Sequence, residues 1–123
     1  MKYVDGFVIV VPNDRIDEYR EMAKMGEKAW MKHGALEYFE CVGEDLEPEN
    51  MPGTSFLKMA KTKTGETVVF SFIVFESRAH RDEVNALVMK DPMMNDPAWT
   101  EKSMPFEIER MAYGGFEVIV GGK

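Results

Sequence analysis

Thr67-Val68-Val69-Phe70-Ser71-Phe72-Ile73-Val74-Phe75, residues 67–75, is the stretch whose reading decides the fold. β-Branched and aromatic side chains fill it, and these suit a pleated, packed surface. Successive side chains of a strand point to opposite faces. Val68, Phe70, Phe72 and Val74 therefore share one face, and Val69, Ser71, Ile73 and Phe75 share the other. The opening run, Tyr3 to Val11, repeats the pattern, with Val4, Val8 and Val10 opposed to Tyr3, Phe7, Ile9 and Val11. A sheet with one wet face alternates apolar and polar residues instead. Both faces of this sheet have to be covered.

Outward from these two strands, Pro12 ends the first, because it cannot donate to a ladder. The next segment, 13–33, reads as one amphipathic helix. Asn13 or Asp14 is its expected cap, and Ile16, Tyr19, Ala23, Gly26, Trp30 and His33 recur at three- and four-residue steps on one side. Asp14, Asp17, Glu18 and Glu21 come early while Lys28 and Lys32 come late, the order the helix dipole favours, although Arg15 and Arg20 run against it. Gly26 marks a close-packing point or a weak spot, and Gly34 offers a left-handed stop. Leu36–Val42 reads as a strand whose alternation Glu37 and Glu40 leave imperfect. Residues 43–55 are acidic, with two prolines and two glycines, and read as loop. A short helical turn is expected over 56–61. Ser77 caps a second helix, 78–90, that turns Val84, Leu87 and Val88 inward and ends at Asp91-Pro92. Residues 93–105 read as a helical turn and a connection around Trp99. The last strand is expected over 108–120, with a bulge at Gly114-Gly115.

The order β-α-β-β-α-β predicts an α+β, ferredoxin-like two-layer sandwich, with four mostly antiparallel strands and two helices on one face. Residues 1–123 fit a single ferredoxin-like domain, since one compact core is the norm at this length. Two helices cover one sheet face only. A four-stranded sheet presents roughly 19 by 17 Å, about 300 Å² in plan, and an apolar area of that size is at the edge of what a monomer leaves bare. A two-fold homodimer, paired through the open sheet face, is therefore expected.

Composition narrows the function classes. With 45% hydrophobic residues the chain has enough apolar content to fold, which argues against long disorder. Fifteen Lys and Arg stand against 22 Asp and Glu, a formal charge of -7, so neither nucleic acid nor an anionic membrane surface is expected as a partner. No apolar run reaches the roughly 20 residues of a membrane helix, and the opening residues read as a strand rather than a signal peptide. A single cysteine, Cys41, cannot form an internal disulfide, which fits a reducing cytoplasm.

MKYVDGFV (1–8), Glu40-Cys41, VVFSFIVF (68–75), Arg81-Asp82 followed by Asn85, Asp91-Pro92 and SMPFEIERMAYGGFE (103–117) resemble the bacterial YbaA-like proteins. The resemblance spans nearly the whole chain. Its most specific part is Met104-Pro105-Phe106 leading to Arg110-Met111 and Tyr113-Gly114-Gly115-Phe116-Glu117. It implies the dimeric α+β barrel superfamily, in agreement with the sheet argument. It carries over no activity and no catalytic residue. The superfamily holds cofactor-free monooxygenases, haem-degrading enzymes, lactone isomerases and plain binding proteins, and fold alone does not choose among them.

The chemistry-bearing residues are few. The two histidines show no HxxxH spacing and there is no CxxC. Glu76, His80 and Glu83 fall at helical spacing, but solvated acids beside a packing histidine explain them as well, and no metal or cofactor is expected. His33 reads as a C-terminal packing and capping residue, and Cys41 as a small apolar strand residue. Asp5, an acid inside the first strand, either lies at the sheet end in water or pairs with a base such as Arg110, and a structural ion pair or hydrogen bond is expected. Tyr19, Trp30, Tyr38, Trp99 and Tyr113 join a ring to a polar handle, and eleven methionines add adaptable packing. A pocket of such residues between sheet and helices suits a small hydrophobic molecule. Candidate ligand contacts are His80, Tyr113, Tyr38, Trp99 and Arg81, the last one helical turn from Asn85. Two readings follow: binding of such a molecule, with or without cofactor-free chemistry on it, or a non-enzymatic homodimer acting through protein contacts.

Overall fold

The computed structural model describes residues 1–47, 49, 52–96 and 104–122. Four strands, β1 (Tyr3–Pro12), β2 (Glu37–Val42), β3 (Glu66–Phe75) and β4 (Ala112–Glu117), form one sheet in the order β2-β3-β1-β4. All three neighbouring pairs are antiparallel. Helices α1 (Ile16–Lys32) and α3 (Arg78–Met89) each link strands that lie one apart in the sheet, and a short α2 (Phe56–Met59) precedes β3. This is the ferredoxin-like α+β arrangement, with the both-sided apolar strands β1 and β3 at its centre.

Both long helices lie on one face. Ala29 of α1 and Val84 and Val88 of α3 pack on Ile73 and Phe75, while Tyr19 and Ala23 of α1 pack on Ile9, Val11 and Val69. The opposite face carries Val4, Val8 and Val10 of β1, Val68, Phe70, Phe72 and Val74 of β3, Phe39 and Cys41 of β2 and Phe116 of β4. Helix α2 reaches one end of it, where Phe56 lies 6.4 Å from the Phe70 ring and Val10 and Val68 are buried. The remainder keeps Val74 buried but leaves several large rings open. Phe39, Phe70 and Phe116 are 48%, 46% and 60% exposed, and Phe72 lies between the first two.

Several local expectations are revised. The chain enters α1 through a 3-10 turn, Asn13–Arg15, and neither end residue in front of turn or helix makes a side-chain cap. A backbone bond from Asn13 N–H to the Gly65 carbonyl, 2.8 Å, fixes the entry instead. The last strand is shorter than 108–120, because Ile108–Arg110 forms a 3-10 turn. Gly114 and Gly115 make no bulge and pair in register with Gly6 and Asp5. Glycine is required at 115 because the Tyr3 ring and the Arg81 guanidinium occupy the space of a side chain. Cys41 is exposed on the bare face at the edge strand rather than packed inside. Ser77 caps α3 as expected, accepting from His80 N–H at 3.1 Å.

Two ion-pair clusters pin the chain crossings. Asp91, buried just past α3, accepts from Met93 N–H at 2.8 Å and lies 2.7 Å from His33 Nε2 and 3.0 Å from Lys32 Nζ at the end of α1. Arg110 holds Glu66 with two 2.7 Å bonds and also donates to the Lys61 carbonyl. The Met93 N–H, followed by His33 and Lys32, holds the Asp91 carboxyl down at about 2, and Arg110 does the same for Glu66. A carboxyl lowered on folding stabilises the fold above its ordinary pKa, 3.8 for Asp91, and that contribution is lost as pH falls towards 2. Urea unfolding of the wild type is therefore expected to shift to lower midpoints between pH 5 and pH 2. Asp91→Asn is expected to be the less stable protein at pH 6, with the gap to wild type closing in the same window. A gap that stays constant down to pH 2 would contradict this role of Asp91.

Candidate functional site

Helix α1 and the edge strand β2 do not close on each other completely. Tyr38, Glu40 and Val42 are the side chains of β2 that point towards the helices, paired across the sheet with Ile73, Ser71 and Val69. Glu40 sits between two tyrosines. Its Oε1 accepts from the Tyr19 hydroxyl of α1 and its Oε2 from the Tyr38 hydroxyl, both at 2.7 Å. Burial, together with the neighbouring carboxylate, pushes both phenols well above the usual tyrosine range, so they remain neutral donors.

Two cavities meet this carboxylate. The larger, about 200 Å³, is lined by Met22, Met25, Trp30, Tyr38, Glu40 and the Met93-Met94 pair, with Ala23 and Gly26 as its small-residue wall. The smaller, about 90 Å³, lies between Ile16, Tyr19, Arg20, Val42, Val69 and the other side of Glu40. Gly26 sets how closely α1 approaches the strand, since a methyl there would sit 2.5 Å from the Tyr38 hydroxyl oxygen. It is a close-packing point. Trp30, whose ring centroid is 6.1 Å from that of Tyr38, donates its indole N–H to Asn85 Oδ1 of α3 at 2.9 Å.

The five candidate contacts are dispersed. Tyr38 lines the larger cavity. Arg81 lies at the other edge of the helix layer. Its Nε is 3.5 Å from Asp5 Oδ1, its Nη2 donates to the Tyr3 hydroxyl at 3.1 Å, and its guanidinium stacks 4.9 Å from the Tyr3 ring centre. Asp5 is thus paired as expected but with Arg81, because Arg110 is taken by Glu66. Burial raises the Asp5 carboxyl, against the pull of Arg81 and Asn85. His80 stands at the start of α3, where its Nδ1 accepts from Glu76 N–H at 3.0 Å and its ring meets the edge of Phe75. That bond uses the nitrogen nearest Glu76. Tyr113 stacks on Phe7 at the β4 edge and is 73% exposed. Trp99 lies outside the described residues. Among the described residues, no group of three His, Cys, Asp or Glu side chains is placed to hold a metal ion.

Sequence reasoning overlooked Glu40, the one carboxylate that joins both cavities. The signal was present: Glu40 is two residues beyond Tyr38 and so shares its face, and that face is the one turned to α1. What hid it was that Glu40 registered only as one of two acids leaving the strand's alternation imperfect.

Fold and site together define a small ferredoxin-like α+β protein with an apolar cavity and one carboxylate in its wall. The chain belongs to the YbaA-like family, described as "Protein of unknown function (DUF1428)", whose profile matches residues 2–108. It is 43% identical over 120 residues to "Uncharacterized protein YbaA" of Escherichia coli K12, covering 98% of both chains, and equally similar to that of Shigella flexneri. Among solved structures it is similar to a dimeric ferredoxin-like protein from an uncultured marine organism. That likeness, with a TM-score of 0.58 and 12% identity over 99% of this chain and all of the other, concerns the fold alone.

The Gly26 contact yields a sign reversal. Glycine inside a helix is ordinarily about 0.5–1 kcal/mol worse than alanine. Gly26→Ala is nonetheless expected to destabilise, because the methyl displaces the Tyr38 hydroxyl from Glu40. In a Tyr38→Phe background the same substitution is expected to stabilise, a coupling that a four-protein urea cycle measures directly. Stabilisation by Gly26→Ala in the wild-type background would show that the approach is not tight.

Proposed function

We propose that this chain forms a single ferredoxin-like domain that pairs with a second copy through the bare sheet face and binds a small hydrophobic molecule in the cavity between α1 and β2. The observation that carries the binding reading is the cavity itself. Its walls are methionine and aromatic rings, with a single carboxylate as the polar group, the composition of a small-molecule site. A dry cavity of about 150 Å³ is enough to hold benzene, so about 200 Å³ suits a molecule of one ring with a short substituent. Tyr38 is the candidate contact that this reading uses. His80, Arg81, Tyr113 and Trp99 are not needed for it.

The homodimer is supported by Phe39, Phe70 and Phe116, three large rings exposed on one sheet face, and by the dimeric state in which the similar marine protein is described. Contiguous rings in water mark an interface more often than a free surface. Among the described residues no helix is long and apolar enough to cross a membrane. The cytoplasm is the compartment we assign, where a lone exposed thiol such as Cys41 stays reduced. If the cavity has no ligand, the same bare face supports the second reading, a homodimer that works through protein contacts.

Native mass spectrometry of protein purified without denaturation or prolonged dialysis tests the binding reading. The expected result is a species heavier than the bare polypeptide by one small molecule per chain, or, for weak ligands, saturation-transfer signals from single-ring compounds at millimolar concentration. A bare mass combined with no signal from any single-ring compound would remove the ligand and leave the protein-contact reading.

A further inference from the structure

Four of the described acidic side chains are not freely exposed: Asp5, Glu40, Glu66 and Asp91. Three of them have a cation within 4 Å. Asp5 faces Arg81, Glu66 is clasped by Arg110, and Asp91 meets Lys32 and His33. Glu40 is the exception, since its two partners are the neutral hydroxyls of Tyr19 and Tyr38. The basic side chain in the lining of the smaller cavity, Arg20, is turned to Asp17 at 2.6 Å. Two phenols satisfy the hydrogen-bonding capacity of a carboxylate only in part, because each oxygen keeps a further lone pair, and they do nothing to balance its charge. Partly buried charges are ordinarily paired.

The surroundings of Glu40 suit a cation. Trp30 and Tyr38, two rings whose faces attract positive charge, stand in the same cavity wall. The four methionines Met22, Met25, Met93 and Met94 line the rest, soft surfaces that accept an apolar body. We infer that the cavity between α1 and β2 takes an organic ammonium, a primary or secondary amine in its protonated form on a compact apolar body, with Glu40 as its counter-ion and Trp30 and Tyr38 as its aromatic walls. This rests on the cavity being a binding site, and it names the ligand class for that site. The Tyr19 and Tyr38 hydroxyls act as positioning groups. They fix the carboxylate so that its remaining lone pairs meet the ligand. Anions are repelled by the same carboxylate, and the net charge of -7 adds to that.

Three molecules of nearly equal size separate charge from shape: benzylammonium, toluene and benzoate. Titration at pH 7, followed by the indole N–H resonance of Trp30, is expected to show benzylammonium binding at least tenfold more tightly than toluene, and no binding of benzoate. Glu40→Gln removes the charge while keeping the shape and a bond to each tyrosine: the amide oxygen accepts from one hydroxyl and the NH2 donates to the other hydroxyl's oxygen. It is expected to weaken benzylammonium tenfold or more and to leave toluene within twofold. Equal affinity for toluene and benzylammonium in the wild type, or benzylammonium binding unchanged in Glu40→Gln, would overturn the ammonium assignment while the cavity remained a ligand site. If none of the three binds, the cavity reading itself fails and the ammonium assignment falls with it.

Discussion

The structure depends on one mismatch: its two central strands are apolar on both faces, and its two long helices cover only one. β1 and β3 pair along ten residues, so the mismatch runs the full length of the sheet. On the covered side it produces a conventional core of Ile9, Val11, Val69, Ile73 and Phe75 under α1 and α3. On the other side it produces a row of rings, Phe39, Phe72 and Phe70, with α2 brought over one end as a partial lid. Burial of apolar surface is the main favourable term in folding and association alike. The burial that one chain leaves unfinished on this face is what the proposed pairing with a second copy would complete.

Much of this architecture was legible in the residues. The alternation within 67–75 located the central strand and its two-sided demand. Ser77 and Asp91-Pro92 bounded α3 by cap chemistry, and Gly34 closed α1 in the left-handed region with φ +111°. Legibility failed where a residue's role was set by a distant side chain. Gly114-Gly115 suggested a bulge, whereas the need for glycine at 115 comes from Tyr3 and Arg81, more than a hundred and more than thirty positions away in the chain. The expected cap at Asn13 or Asp14 gave way to a backbone bond from Asn13 N–H to the Gly65 carbonyl, a partner that no local pattern announces.

The candidate site divides along the same line. Gly26 was visible as a close-packing point or a weak spot and Tyr38 as a candidate ligand contact, and the structure sets one against the other. Glu40 was not visible as a site residue because its environment is assembled from α1, β2 and the Met93-Met94 turn. Arg81 and Asn85, one turn apart on α3, both act on Asp5, and Asn85 in addition anchors the Trp30 indole. The cavity is thus held from both sides, by the Glu40–tyrosine bonds at the sheet edge and by the Trp30–Asn85 bond between the helices.

The claim on which the rest stands is that the bare sheet face is covered by a second copy. Sedimentation equilibrium at micromolar concentration tests it most directly, with the wild type compared against Phe70→Glu, a charge placed among the exposed rings of that face. The account predicts a wild-type particle of twice the 14.1 kDa chain mass and a folded, monomeric variant. A wild-type monomer at those concentrations would contradict it, as would a variant that pairs as tightly as the wild type.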